Sequence, residues 1–168
     1  MKARALQWLA QREQSRVELR RKLLPHAVAE LAAATGDGAT DPEARASAAA
    51  RVDAVLDWLE THNYLSQERF VESRVHARSA RFGNLRIRQE LKQHQVALGA
   101  DAAQALKDSE LARARAVRER KFPMWPADAA ERARQARFLA GRGFSPDVIS
   151  RALRGASRPR DPDEDDGG

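Results

Sequence analysis

The feature that most constrains this chain is residues 52–75 (VDAVLDWLETHNYLSQERFVESRV), where one helix ends and another begins almost at once. Asn63 stands where a helix calls for a left-handed C-terminal residue, and Tyr64 follows as the hydrophobic residue that folds back on the last turn. Ser66 is a favoured N-cap, and Glu68 places an acid in the first turn of the next helix. This spacing leaves no room for a strand or a flexible linker. We therefore expect a rigid helix-to-helix corner. The first helix carries its apolar stripe at i, i+3, i+4 and i+7: Val52, Val55, Leu56 and Leu59.

The same pattern recurs at residues 138–147 (FLAGRGFSPD). Gly143 is the expected left-handed residue and Phe144 the hydrophobic follower. Ser145 and Pro146 then form an N-cap and a first-position proline. Two corners of one design indicate a repeated helical unit.

Helical periodicity over the whole chain predicts nine helices in three sets of three. A proline at position 25 is expected to end or kink the second helix. Residues 66–82 are predicted as one helix, and residues 101–106 and 109–121 as two separate helices. The repeats are placed at residues 1–65, 66–108 and 109–154, with a flexible insertion at about 34–48 and a disordered acidic tail at 155–168.

Charge limits the kinds of partner. The chain has a formal net charge of +6, and residues 1–154 hold 28 basic and 19 acidic residues, a net +9. A basic body of this kind favours a polyanionic partner, either nucleic acid or an acidic protein surface. The chain has no cysteine, no leader-like or membrane-spanning apolar run and no phosphate-binding glycine loop, and its four histidines are scattered. We expect a non-enzyme without cofactor or metal, in the cytoplasm and away from membranes.

Candidate partner-binding residues are the basic side chains displayed by the second, fourth and fifth predicted helices, together with Arg12 beside the second helix. Trp8 and Trp58 lie in amphipathic helices and are expected in the core, whereas Trp125 suits a core position and a base-stacking position equally. The basic candidates are Arg12, Arg16, Arg20, Arg21, Lys22, Arg74, Arg78, Arg81, Arg86, Arg88 and Lys92.

Four ordered blocks resemble one known family. A-L-x-x-L-x-x-R-x-x-S-R-x-E-L-x-x-K-L begins at Ala5, V-L-x-W-L-x-x-x-x-Y-L-S-x-x-R-F at Val55, R-I-R-Q-E-L at Arg86 and F-L-x-x-R-G-F-S-x-D-x-I at Phe138. Together they are similar to RecX, the bacterial regulator of the RecA recombinase. The resemblance covers roughly residues 5–154. Asn63 replaces the usual glycine and Ser66 the usual aspartate, and both keep the capping chemistry.

The resemblance implies an all-α protein of three tandem three-helix, helix-turn-helix-like repeats forming an elongated, curved array. It also implies binding to the RecA filament on single-stranded DNA, with suppression of strand exchange, ATP hydrolysis and repressor cleavage in the SOS response. A monomer is expected, with direct contact to single-stranded or double-stranded DNA left open. The alternatives are an autonomous basic DNA-binding module that competes for the DNA, and a scaffold that binds an acidic protein without DNA.

Overall fold

A computed structural model describes residues 1–35 and 42–154. Every regular element in these two ranges is a helix, which confirms the all-α prediction. The eight helices are α1 (Lys2–Gln11), α2 (Arg16–Thr35), α3 (Pro42–Thr61), α4 (Gln67–Ser79), α5 (Asn84–Gln93), α6 (Ala100–Lys121), α7 (Ala129–Gly141) and α8 (Pro146–Ala152). The predicted disordered tail and the middle of the predicted insertion lie outside the described residues.

The described chain divides into two compact units. Unit 1 comprises residues 1–76 and 90–97, and unit 2 comprises residues 77–89 and 98 onward. Helices α4 and α5 each contribute residues to both units.

Several predicted helix boundaries differ from those in the structure, and of the two alternatives at Pro25 the helix end is wrong. Pro25 lies inside α2, which continues to Thr35, and α3 already begins at Pro42. Only residues 36–41 therefore separate two helices that reach into the predicted flexible insertion from both sides. The fourth helix ends at Ser79, three residues before the predicted end at Phe82.

The core of unit 1 explains why α2 passes through the proline. Leu19, Leu23 and Ala27 are fully buried at four-residue intervals, so the apolar stripe continues past Pro25. This stripe packs in one cluster with the buried face of α3. Burial of that stripe offsets the hydrogen bond that the proline removes. Trp8 and Trp58 are half-buried against the same cluster, as predicted.

Helix α6 joins the sixth and seventh predicted helices, so the described count is eight rather than nine. A break was predicted between residues 106 and 109, but the Ser109 hydroxyl donates to the Ala105 carbonyl oxygen at 2.9 Å, one turn earlier in the same helix. The buried residues Leu106, Glu110 and Ala114 follow one face across the predicted break. Burial of this continuous inward face keeps the helix intact.

Both predicted corners are confirmed. Asn63 has a φ of 58° and Gly143 a φ of 81°. The amide of Tyr64 donates to the Leu59 carbonyl oxygen at 2.9 Å, and that of Phe144 to the Leu139 carbonyl oxygen at 3.3 Å, the long-range bond of a Schellman motif. The N-caps form too, since Ser66 Oγ accepts from the Arg69 amide at 3.2 Å and Ser145 Oγ from the Val148 amide at 3.4 Å.

A third corner of this type follows α5. Gln95 has a φ of 56°, and the Val96 amide donates to the Leu91 carbonyl oxygen at 3.1 Å. Sequence reasoning missed it because glutamine, unlike glycine or asparagine, carries no preference for the left-handed conformation.

Candidate partner-binding surface

The positive charge of the chain is concentrated in one of its two units. The described residues of unit 1 include 12 basic and 10 acidic side chains, a net charge of +2. Those of unit 2 include 16 basic and seven acidic side chains, a net charge of +9. An anionic partner is therefore attracted mainly to unit 2.

In unit 1, two of the predicted binding residues are held by acids of α3. The guanidinium of Arg16 places Nη2 2.7 Å from Asp57 Oδ1 and Nη1 2.6 Å from Glu60 Oε2. Arg20 donates to both carboxylate oxygens of Asp53 at 2.8 and 3.2 Å. The hydrogen bonds from Arg20 lower the pKa of the Asp53 carboxyl. These two arginines fasten α2 to α3, so less of their charge is available to a partner.

Arg12 and Lys22 also have an intramolecular anion. Both contact the carboxylate of Glu18, which is 6% exposed, and Lys22 Nζ lies 3.2 Å from Oε1. Burial raises the pKa of this carboxyl. The hydrogen bonds from Arg12 and Lys22 together lower it by more than burial raises it, so the net shift is downward. Ser15 caps the start of α2, since its Oγ accepts from the Glu18 amide at 3.1 Å. Arg21 is exposed on the same helix.

His94 lies half-buried in the middle of these basic residues. Its Nδ1 is 2.8 Å from Ser15 Oγ, and its Nε2 is 3.4 Å from a guanidinium nitrogen of Arg74. Because Ser15 Oγ already accepts from Glu18, its hydroxyl hydrogen is free to point at His94. Burial lowers the pKa of His94, and the positive charges of Arg74, Arg21 and Arg12 lower it further, while Glu18 opposes them. The neutral imidazole thus joins the α1–α2 corner to the end of α5.

Three of the predicted residues in unit 2 surround one aromatic ring. The guanidinium carbons of Arg78, Arg81 and Arg86 lie 5.6, 5.9 and 4.9 Å from the ring centroid of Phe82. Because α4 ends at Ser79, Arg81 lies beyond the helix that carries Arg74 and Arg78. Arg88 and Lys92 are exposed on α5.

Sequence reasoning did not single out the arginines that cap α4. The last carbonyl groups of a helix have no partner within it. Here Arg113 Nη1 donates to the carbonyl oxygens of Ser79 and Phe82 at 3.2 and 2.8 Å. Arg120 donates to the Ala80 carbonyl oxygen. Arg142 donates to the Arg81 carbonyl oxygen at 3.3 Å. Cations also suit this end of the helix dipole. No local motif marks these pairs, because each joins residues more than 30 positions apart.

Arg113 forms the centre of a polar junction in unit 2. Besides its two carbonyl acceptors at the end of α4, it contacts the side chain of Asn84 and the Leu106 carbonyl oxygen. Glu110, which is 5% exposed, accepts from the Asn84 amide at 2.9 Å. Burial lowers the pKa of Arg113, against the charge of Glu110. This junction fixes the segment that carries Arg81.

Arg81 lines a groove of about 240 Å³ on unit 2, which we call the cationic groove. Val117 and Phe138 supply its apolar lining, and the guanidinium of Arg142 lies 4.6 Å from the Phe138 ring centroid. None of the lining residues that the structure describes is acidic. The cationic side chains of the groove are Arg81, Arg120, Lys121 and Arg142.

Two glycines allow the backbone segments beside the groove to approach closely. The Gly83 amide donates to the Arg142 carbonyl oxygen at 2.9 Å, and the Leu85 amide to that of Gly143 at 3.0 Å. A Cβ on Gly83 would lie 2.3 Å from the Gly143 oxygen, and a Cβ on Gly143 would lie 2.5 Å from the Cβ of Arg86. Only glycine fits at either position.

Trp125 is 44% exposed in the connector between α6 and α7. One side of its ring is covered by the guanidinium of Arg118, 3.9 Å from the centroid. Arg118 itself is 1% exposed and donates to the Met124 carbonyl oxygen at 3.3 Å. On α6, Arg118 is therefore buried and Arg113 is half-buried, whereas Arg115, Arg120 and Lys121 are exposed.

In the ranges that the structure describes, no three histidine or acidic side chains are arranged to hold a metal ion. Over the same residues, no helix is long and apolar enough to cross a membrane.

Comparison with known proteins shows which family this chain is similar to. The family model described as RecX, second three-helix domain, matches residues 66–106, and the one described as RecX, third three-helix domain, matches residues 108–153. These matches support the tandem three-helix organisation.

Relatives named regulatory protein RecX match nearly the whole chain. The protein from Ralstonia nicotianae is 50% identical over 159 residues, covering 93% of this chain and 87% of the relative. The protein from Leptothrix cholodnii is 47% identical over 97% of this chain and 93% of its own length, and that from Herminiimonas arsenicoxydans is 42% identical over 98% and 95%. The chain belongs to the RecX family of regulatory proteins.

Proposed function

We propose that this chain binds the RecA filament on single-stranded DNA and inhibits the recombinase, ATPase and coprotease activities of RecA. In this role it modulates DNA repair and the SOS response, as a cytoplasmic monomer. Membership in the RecX family supports the target. The observation that carries the mode of action is the net charge of +9 on the described part of unit 2.

The mechanism needs binding and no catalysis. A protein that binds one filament state more tightly than another shifts the filament toward that state. Binding can equally occupy the surface that the next RecA subunit or a second DNA needs. Much of the attraction is electrostatic, so the affinity falls as salt rises.

The basic residues divide into two groups in this proposal. Arg16 and Arg20 serve mainly to hold α2 on α3, because each already has a carboxylate partner. Exposed basic residues of unit 2 make the contacts with the anionic partner. The predicted candidates Arg81, Arg86 and Arg88 are retained, and the groove residues Arg120, Lys121 and Arg142 are added.

A second function is favoured by charge alone. In this alternative, the chain is a basic helical module that binds DNA without RecA and competes with RecA for the strand. The two functions differ in the preferred target, and a scaffold for an acidic protein would differ from both.

A three-way comparison of affinities distinguishes these functions. Binding of the labelled chain is measured to RecA filaments on single-stranded DNA, to the same strand without RecA, and to RecA without DNA, at one salt concentration. The proposal predicts that the filament binds most tightly. Equal affinity for filament and bare strand would contradict it in favour of the DNA-binding module, and equal affinity for RecA with and without DNA would favour the scaffold.

A further inference from the structure

We propose that the cationic groove of unit 2 holds a phosphodiester group of single-stranded DNA, with the half-buried Phe138 receiving the apolar side of the adjoining sugar or base. This inference deepens the proposed function and rests on it, because it assigns the DNA contact within the filament to one site.

The size and lining of the groove indicate the kind of ligand. A volume of about 240 Å³ is smaller than the pockets of roughly 300–1,000 Å³ that enclose whole small molecules. The groove therefore takes one group of a longer ligand. Four cationic side chains and no described carboxylate select an anionic group.

The groove is preorganised for that anion. Arg142 donates one guanidinium nitrogen to the Arg81 carbonyl oxygen, just beyond α4. Arg120 donates two, to the carbonyl oxygens of Ala80 and Ala116. These bonds fix the direction of the rest of each guanidinium group. A guanidinium has five N–H donors in a planar fork, so donors remain for phosphate oxygens. Side chains that are already ordered lose less entropy when they bind.

The apolar lining favours a nucleic acid strand over an acidic peptide. Phosphate groups in DNA alternate with sugars and bases, whose apolar faces can lie on Phe138, beside the buried Val117. Single-stranded DNA exposes those faces, whereas a duplex keeps its bases stacked inside. A run of Asp or Glu has no comparable apolar group beside each charge.

The test uses the whole chain and a fluorescently labelled oligothymidylate, with anisotropy measured over a salt series. The groove variant is Arg120→Gln/Lys121→Gln, and the matched control is Arg115→Gln/Arg132→Gln. The control removes the same charge from exposed positions on α6 and α7 that do not line the groove. Lys121→Gln alone is the second groove variant, because Lys121 makes no hydrogen bond or ion pair with the described residues and its loss leaves the fold intact.

The proposal predicts that the groove variant binds the strand about tenfold more weakly than the control. It also predicts that the slope of log affinity against log salt falls by about 1.4, since each phosphate contact on a single strand contributes about 0.7. Lys121→Gln should lower the slope by about half as much. Equal affinities and slopes for the groove variant and the control would overturn the proposal.

Two further measurements separate this proposal from the proposed function. Labelled oligoglutamate of equal charge is titrated against the same variants, and a groove mutation that weakens only this peptide overturns the DNA assignment. The RecA ATPase is measured with each variant. If the groove variant keeps its strand affinity but loses ATPase inhibition, the DNA site fails while the regulatory function stands. If the wild-type chain leaves the ATPase unchanged, the regulatory function fails whatever the strand affinity.

Discussion

Replacing Arg113 by methionine tests whether the arginine cap of α4 holds unit 2 together. Methionine keeps most of the apolar volume but removes every guanidinium donor. The acceptors left without this partner are the carbonyl oxygens of Ser79, Phe82 and Leu106 and the side-chain oxygens of Asn84 and Ser109.

The expected cost follows from those five acceptors. A hydrogen bond in a folded protein contributes about 0.5–1.5 kcal/mol net, with the larger values for charged donors. Arg113 is half-buried, so water replaces part of the lost bonding. We therefore expect Arg113→Met to lower the free energy of unfolding by about 3 kcal/mol. Arg115→Met, an exposed change on the same helix, should cost under about 0.5 kcal/mol.

Urea unfolding followed by helical circular dichroism measures both variants. For a denaturant slope of about 2 kcal/mol per molar, the Arg113 variant should unfold at a urea concentration about 1.5 M lower than the wild type. A difference of less than about 0.5 kcal/mol between the two variants would refute the assignment of Arg113 as the cap.

Further predictions concern backbone, pH and ion pairs. Gly143→Ala should lower the free energy of unfolding, measured by thermal unfolding, by about 2–5 kcal/mol, because φ is 81° and the added Cβ would lie 2.5 Å from the Cβ of Arg86. The control Gly141→Ala, with open space around it, should be neutral or stabilising. The pKa of His94 is lower in the folded chain than in the unfolded chain, so the unfolded chain binds a proton at His94 more readily. The contribution of the neutral His94 to the free energy of unfolding is therefore fully present above pH 6.5 and declines as the pH falls through 6.5 toward the folded pKa. His94→Asn should flatten that decline in chemical unfolding at pH 5 to 8, and an unchanged slope would contradict the lowered pKa that burial and the Arg74 charge give His94. Arg20→Gln should lower stability by less than about 1 kcal/mol without weakening binding to RecA filaments, because the exposed pair with Asp53 serves the α2–α3 packing.

Local capping chemistry made the corners predictable. Asn63 and Gly143 suit the left-handed conformation, and Ser66 and Ser145 suit the N-cap, so each corner depends on a few neighbouring residues. Where local signals opposed packing, prediction failed. A helix end was one of two alternatives at Pro25, and a break was predicted between residues 106 and 109, but buried faces continue through both positions.

The candidate surface was only partly predictable, because a sequence shows charge but not its partners. Arg16 and Arg20 resemble free cations in the sequence, yet acids more than 30 residues away neutralise them. Conversely, Arg142 carries no motif that marks it as part of a groove with Arg81 and Lys121. Such groupings depend on tertiary packing, which brings together segments without any sequence signature.

The most direct test of the regulatory function is the single-strand-dependent ATPase of RecA, measured while this chain is titrated from far below one molecule per RecA subunit. The proposed regulatory function predicts inhibition at substoichiometric levels, before enough protein is present to coat the strand. If ATP hydrolysis falls only when the chain is abundant enough to cover the DNA, this function is contradicted, and the protein acts as a basic DNA binder that competes for the template.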